Sequence, residues 1–178
     1  MYLLVQWNVE KREKMLNELE RQSITGKILK IFKPTIDNRF GNNIVQTRSG
    51  KKIDAININS IDELQNYTAD IYFIDEFQFL DGNVETIEKL ASDGKKFFIS
   101  GLNLTAEKKP FGKMGDLMCI ADNVELMTSV CEICKNDNAI FSFFKGNKSG
   151  DIYIGDSEYI PVCRTCYNKL KIVNYKSL

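Results

Sequence analysis

Two Cys-x-x-Cys units, Cys131-Glu-Ile-Cys134 and Cys163-Arg-Thr-Cys166, restrict the possible folds of this chain more than any other feature of its sequence. Each unit can present two thiolates about one tetrahedral edge apart, and residues 135–162 can fold back to bring both pairs around a single zinc ion. Four sulfurs fill the coordination sphere, so such a metal holds the fold together and leaves no position for water or substrate. Two other arrangements fit less well. A pair of disulfides belongs to an oxidising compartment. A zinc deaminase needs an open coordination position and a proline directly before its Cys-x-x-Cys, where this chain has Val162. Cys119 lies in an apolar run and reads as a core residue.

The 178 residues include no histidine. Ser-His-Asp and Cys-His catalysis, histidine bases and His-ligated metals are therefore excluded, and proton transfer falls to a carboxylate, lysine, tyrosine or cysteine. Lys+Arg and Asp+Glu balance at 24 each, so no overall field draws nucleic acid, which is disfavoured as a partner, or an anionic membrane. The apolar run at the N-terminus is too short for a signal peptide, and nowhere do eighteen apolar residues follow one another. A cytoplasmic protein is expected.

Hydrophobic periodicity gives the organisation. Tyr2 to Val5 reads as a strand, and Asn8 caps a helix running to about Gln22 with Met15, Leu16 and Leu19 on one face. The neighbouring charges Lys11 to Lys14 read as the solvated face of that helix. Strands are expected at Ile28–Phe32 and Lys52–Ile58, and a helix near Ile61–Tyr67. Asp70 to Ile74 is a strand buried on both faces that ends in Asp75-Glu76. A helix at Val84–Ala91, a strand at Lys96–Ser100 and a short helix at Leu117–Ala121 follow. This alternation predicts an α/β fold with a parallel sheet and ligands at the carboxyl ends of its strands. Residues 1–126 form the α/β domain of this expectation. Residues 127–178 form a small four-cysteine domain, with β-prone Ala139–Phe144 and Asp151–Ile154 flanking the hairpin turn 145–150.

An acid pair closing a buried strand is common and by itself says little. Asp75-Glu76-Phe77-Gln78-Phe79, however, resembles the D-E-x-Q-F signature of the zinc-containing type II thymidine kinases, and further matches follow in order. Lys33-Pro34 with Asp37-x-Arg39 is similar to that family's K-P-x-x-D-x-R. Gly101-Leu102-Asn103 and Lys109-Pro110-Phe111-Gly112 resemble the start of its substrate-covering lasso loop. Tyr159, four residues before Cys163, resembles its substrate-contacting tyrosine. The resemblance implies a P-loop-kinase-like sheet with a zinc-ribbon lasso, and a homo-tetramer or dimer that passes the ATP γ-phosphate to the 5′-hydroxyl of thymidine. By position it makes Glu76 the base, Asp75 the magnesium-side acid, and Cys131, Cys134, Cys163 and Cys166 the zinc ligands. Asp37, Arg39, Gln78, Phe79, Phe111, Ser142 and Tyr159 become the nucleoside-binding residues.

The chain also departs from that pattern. The family's first strand runs into G-x-x-x-x-G-K-[ST], whose glycines and backbone N–H groups wrap phosphate. Here the segment reads Gln6-Trp7-Asn8-Val9-Glu10-Lys11-Arg12-Glu13-Lys14, and no glycine precedes Gly26. Lys11 or Arg12 stands where the motif lysine would, without the hydroxyl residue that should follow, and Glu10 and Glu13 bring carboxylates to the place of phosphate. Ala106 takes the place of an aromatic beside the base, Asn103 replaces an Asp, and Phe144 falls near a family arginine. The expectation is a pseudokinase that keeps the fold and zinc site and binds a nucleoside, a nucleotide or a protein partner. ATP and magnesium belong to it only if transfer survives.

Overall fold

The computed structural model describes residues 1–5, 9–39, 41, 43–46, 50, 52–146 and 158–176. Six strands form one all-parallel sheet: β1 (Tyr2–Val5), β2 (Leu29–Pro34), β5 (Ile56–Ile58), β6 (Ile71–Ile74), β7 (Lys96–Gly101) and β8 (Asn123–Leu126). Their order is β5-β2-β6-β7-β1-β8. The predicted parallel α/β fold is therefore present, with an edge strand, β8, that the sequence reading did not anticipate. The chain leaves β1, passes along helix α1 (Val9–Ser23) and re-enters three strands away at β2, with β6 and β7 later filling the gap. That places the carboxyl ends of β1, β2, β6 and β7 side by side at the point where the strand order reverses, which is where open α/β sheets bind ligands.

Side-chain alternation assigns each strand residue to a face. Tyr72 and Ile74 of β6, Phe32 of β2 and Phe97 of β7 join one core with helix α2 (Glu85–Ser92), helix α3 (Met114–Ile120) and the 3₁₀ segment Ile61–Asn66. Phe32, Tyr72 and Phe97 stack in sequence there, with centroids 5.7 and 4.9 Å apart. Ile71 and Phe73 face the opposite core, closed by Met15 and Leu16 of α1 and by Val45 of the hairpin β3 (Ile44–Gln46) and β4 (Lys52–Asp54). Full burial of β6 accounts for its uninterrupted apolar sequence.

Beyond the sheet, β9 (Ser129–Val130) pairs with β10 (Asp137–Ala139), and β11 (Phe141–Phe144) pairs with β12 (Tyr159–Val162), ahead of helix α4 (Arg164–Lys176). Several expectations are corrected. Lys52–Ile58 is two strands in different sheets, broken at Ala55, which is buried against the α1-side core. The span Ala139–Phe144 is likewise broken at Ile140. The partner of β11 is Tyr159–Val162; the expected strand 151–154 and the expected cap Asn8 lie outside the described residues. Nor is the whole run Lys11 to Lys14 a solvated face: Lys14 is exposed, but Lys11 is only 5% exposed and Arg12 is half-buried. Among the described residues no helix is long and apolar enough to cross a membrane.

Candidate functional site

The four paired cysteines come together as the sequence requires. Cys131 enters from the end of β9, Cys134 from the turn after it, Cys163 from the end of β12 and Cys166 from the first turn of α4. Their sulfurs lie within 4.8 Å of one another, and the Cys134 and Cys163 sulfurs are 3.8 Å apart. A tetrahedron with Zn–S bonds of about 2.3 Å has edges of about 3.8 Å. Backbone N–H groups of Cys163 and Cys166 donate to the Cys131 and Cys163 sulfurs. The thiols alone could not share this space as anions. Burial raises Cys131, but backbone N–H donors outweigh it and bring its pKa to about 6, while burial and the neighbouring sulfurs push Cys166 up to about 12. A dication resolves that conflict, so the donor set fits zinc.

The knob also holds the loop between β7 and α3. Tyr167 of α4 donates its hydroxyl hydrogen to the Ala106 carbonyl at 2.6 Å, and the Lys108 ammonium sits 3.8 Å from the Tyr167 ring centre. At its far end the same loop meets the acid-bearing segment: Phe111 packs edge-on against Phe79 at 5.3 Å, and Gly112 lies against the Gln78 backbone. Gly112 has φ +51°, and a Cβ there would run into the Gln78 carbonyl oxygen. Gly112→Ala is therefore expected to cost more than about 2 kcal/mol and lower the melting temperature by about 5 °C or more. Gly26→Ala, at φ +71° in open space, should cost only the backbone strain. Equal melting temperatures for the two variants would refute the contact.

At the carboxyl ends of β1, β2, β6 and β7 lies a buried charge cluster. Asp37 follows β2, while Asp75 and Glu76 close β6, and each is at most 5% exposed. Their oxygens fall within 4.8 Å of one another. Glu76 adopts the left-handed conformation, φ 51° and ψ 42°, a strained geometry for a residue with a side chain. Arg12 donates from Nε to Asp75 at 2.6 Å and from its terminal nitrogen to Glu76 at 3.0 Å. Arg39 forks onto Asp37 at 2.7 and 3.2 Å and reaches Glu76 at 2.9 Å. Lys11 lies 3.3 Å from Glu76 and Gln78 donates to it at 2.7 Å, while Ser100 donates to Asp75 at 2.5 Å. Burial alone would raise the Glu76 pKa, but Lys11, Arg39, Arg12 and the Gln78 amide together hold it well below the usual carboxylate range.

The structure thus brings Lys11, Asp37, Arg39, Asp75, Glu76 and Gln78 into one network and Phe79 and Phe111 into one contact beside it. Ser142 and Tyr159 are placed on β11 and β12, where Tyr159 packs on Phe144 at 5.1 Å. Sequence reading missed the part played by Arg12 and Ser100. It also gave no role to Lys33, which is buried and donates to the carbonyls of Gly41 and Ile44, fixing the loop ahead of β3. The oxygen donors of Asp37, Asp75 and Glu76 suit a hard cation such as magnesium in kind, but every one of their six oxygens already accepts from the protein. As arranged, the cluster does not fit a divalent ion.

Fold and site together define a parallel α/β protein of nucleotide-kinase architecture, with acids at the strand ends and a four-cysteine knob pinning a loop that meets Gln78 and Phe79 beside them. The thymidine kinase family profile matches residues 4–167, and the chain belongs to that family. A thymidine kinase of Pseudothermotoga lettingae is 32% identical over 92% of this chain and 91% of its own length. One from Choristoneura fumiferana entomopoxvirus is 37% identical over 92% and 93%, and one from Porphyromonas gingivalis is 36% identical over 89% and 79%.

Proposed function

We propose that this member of the thymidine kinase family binds a nucleoside or nucleotide and has lost ATP-dependent phosphoryl transfer. The observation that supports it most is the engagement of Asp75 and Glu76, whose four oxygens all accept from Lys11, Arg12, Arg39, Gln78 or Ser100. A general base works best with a pKa near the operating pH, and a carboxylate held far below it takes a hydroxyl proton poorly. The missing glycines add to this. ATP with magnesium would supply the transferable phosphoryl group, yet transfer depends almost wholly on positioning and charge stabilisation, and the phosphate-wrapping motif is not in the sequence. Losing one such donor costs about 10²–10³ in rate.

On this reading Asp37, Arg39, Gln78, Phe79, Phe111, Ser142 and Tyr159 receive the nucleoside. Ala106 in place of an aromatic leaves room beside the base and forfeits about 1 kcal/mol of stacking. A second reading, an active thymidine or deoxynucleoside kinase with Glu76 as base, draws support from Lys11 and Arg12. Two cations early in α1 could transfer their hydrogen bonds from Glu76 and Asp75 to phosphate oxygens. One experiment separates the two. Purified protein incubated with ATP, magnesium and each deoxynucleoside is expected to show no turnover; turnover that Glu76→Gln abolishes establishes the kinase instead. Nucleoside at about 100 times its dissociation constant should stabilise the fold by about 2.7 kcal/mol, and no shift with any nucleoside or nucleotide overturns the binding proposal.

A further inference from the structure

We infer that Arg12 is a built-in competitor for a divalent cation at Asp75: the chain seats its own guanidinium there, and metal enters only when that group leaves. The inference rests on the nucleotide-site reading, but its test needs neither nucleoside nor ATP, so either can fail alone.

Arg12 touches every acid of the cluster. It donates to Asp75 at 2.6 Å and Glu76 at 3.0 Å, its terminal nitrogen lies 3.9 Å from Asp37, and its other nitrogen donates to the Gln46 carbonyl at 3.1 Å. That last bond fixes the plane of the fork, so the guanidinium is held in register with the carboxylates. The three acids pair with three cations, Lys11, Arg12 and Arg39, and the buried Lys33 ammonium acts on Asp37 and Asp75 as well, so the cluster carries no residual negative charge to attract a metal ion. A dication placed among them would face those cations in a buried site, where like charges repel far more strongly than in water.

The three cations are not equivalent. Arg39 is committed to Asp37, two residues away in its own loop, through both ends of its fork. Lys11 makes one longer contact with Glu76. Arg12 comes from another element, α1, and contributes the shortest ion pair to Asp75. Removing its charge takes one cation from the site and frees one Asp75 oxygen of its ion pair, with all three acids still within reach of one ion.

Binding of manganese to zinc-loaded protein, read by the electron paramagnetic resonance of the free ion, tests this in the absence of nucleotide. Arg12→Gln is expected to bind one manganese at least about tenfold more tightly than wild type, the effect of one strong charge contact. Adding Asp75→Asn to that variant should abolish the gain. Equal affinity in wild type and Arg12→Gln, or a gain that survives Asp75→Asn, overturns the inference. Should Arg12→Gln fail to fold, wild type decides: manganese binding that the single change Asp75→Asn abolishes overturns it, and identical curves for the two proteins support it.

Discussion

Withholding zinc from the four cysteines, or replacing Cys163 with serine, is expected to lower the melting temperature by about 10 °C or more and to abolish the proposed nucleoside binding in the same step. The core around the cysteines is small: Ala139, Phe141, Phe143, Val162 and Tyr167 pack with three of the four ligands themselves. Its sheets are two-stranded ribbons, β9 with β10 and β11 with β12, and isolated ribbons are marginal in water. Without a dication, one thiol is drawn down to about 6 while another is driven up to about 12, so the sulfurs do not ionise together and no metal–thiolate bonds hold the segments to one another. The metal-binding free energy of such a closed site is folding free energy. For a chain of this length each kcal/mol lost moves the melting point by about 2–4 °C, so a loss of several kcal/mol gives the stated drop.

The second half of that expectation follows from what the knob holds. Tyr167 bonds Ala106, Lys108 lies over Tyr167 and 4.5 Å from the Phe141 ring centre, and the loop they pin carries Phe111 and Gly112 to Phe79 and Gln78. Gln78 in turn donates to Glu76 and accepts from the Leu102 N–H at 2.9 Å. Unfolding the knob therefore releases one end of the loop whose other end confines Gln78. Zinc analysis, thermal melts and nucleoside titration, each before and after chelation, check both parts. Metal-free protein with an unchanged melt under chelator would refute the zinc site. A lowered melt with nucleoside affinity intact would refute the link through the loop.

What the sequence disclosed and what it concealed have separate physical causes. The buried strand ending in Asp75-Glu76 and the Cys-x-x-Cys pairs were legible because each is a local pattern: apolar continuity in one case, thiol spacing in the other. Arg12 was not, because charged residues on a helix are usually solvated. A signal existed nonetheless. Lys11 stands four residues before Met15 and eight before Leu19, and Arg12 stands four before Leu16, so both extend the apolar stripe of α1 rather than oppose it. A charge in line with a buried stripe, in a chain with a buried acid pair elsewhere, points to an internal ion pair. The split of Lys52–Ile58 had a marker that is easily passed over: the alternation set by Ile53 and Ala55 changes phase at Ile56 and Ile58, and alanine is a weak strand former. The left-handed backbone at Glu76 was also invisible, because only the surrounding network forces that conformation on a glutamate.

Replacing Glu76 with alanine is expected to destabilise the protein by about 3–5 kcal/mol, the range for breaking a buried ion pair from one side. The carboxylate accepts from Lys11, Arg12, Arg39 and Gln78 together. Its loss leaves those three cations and the nearby buried Lys33 facing one another, balanced among the described residues of the cluster by Asp37 and Asp75 alone, inside a buried site. The backbone adds a separable component. Glu76 sits at φ 51°, which alanine resists and glycine accepts, so Glu76→Gly should be more stable than Glu76→Ala by about 1 kcal/mol although both lose the same charge. Acid titration reports the same interaction. With its pKa depressed below the ordinary 4.5, Glu76 contributes stability that is fully present well above that value and lost as pH falls through it toward the lower folded-state pKa. Urea unfolding of wild type from pH 7 downward should therefore show a steep loss below about pH 5 that is shallower in Glu76→Ala. Parallel acid limbs in the two proteins would mean that the buried network does not hold Glu76 ionised.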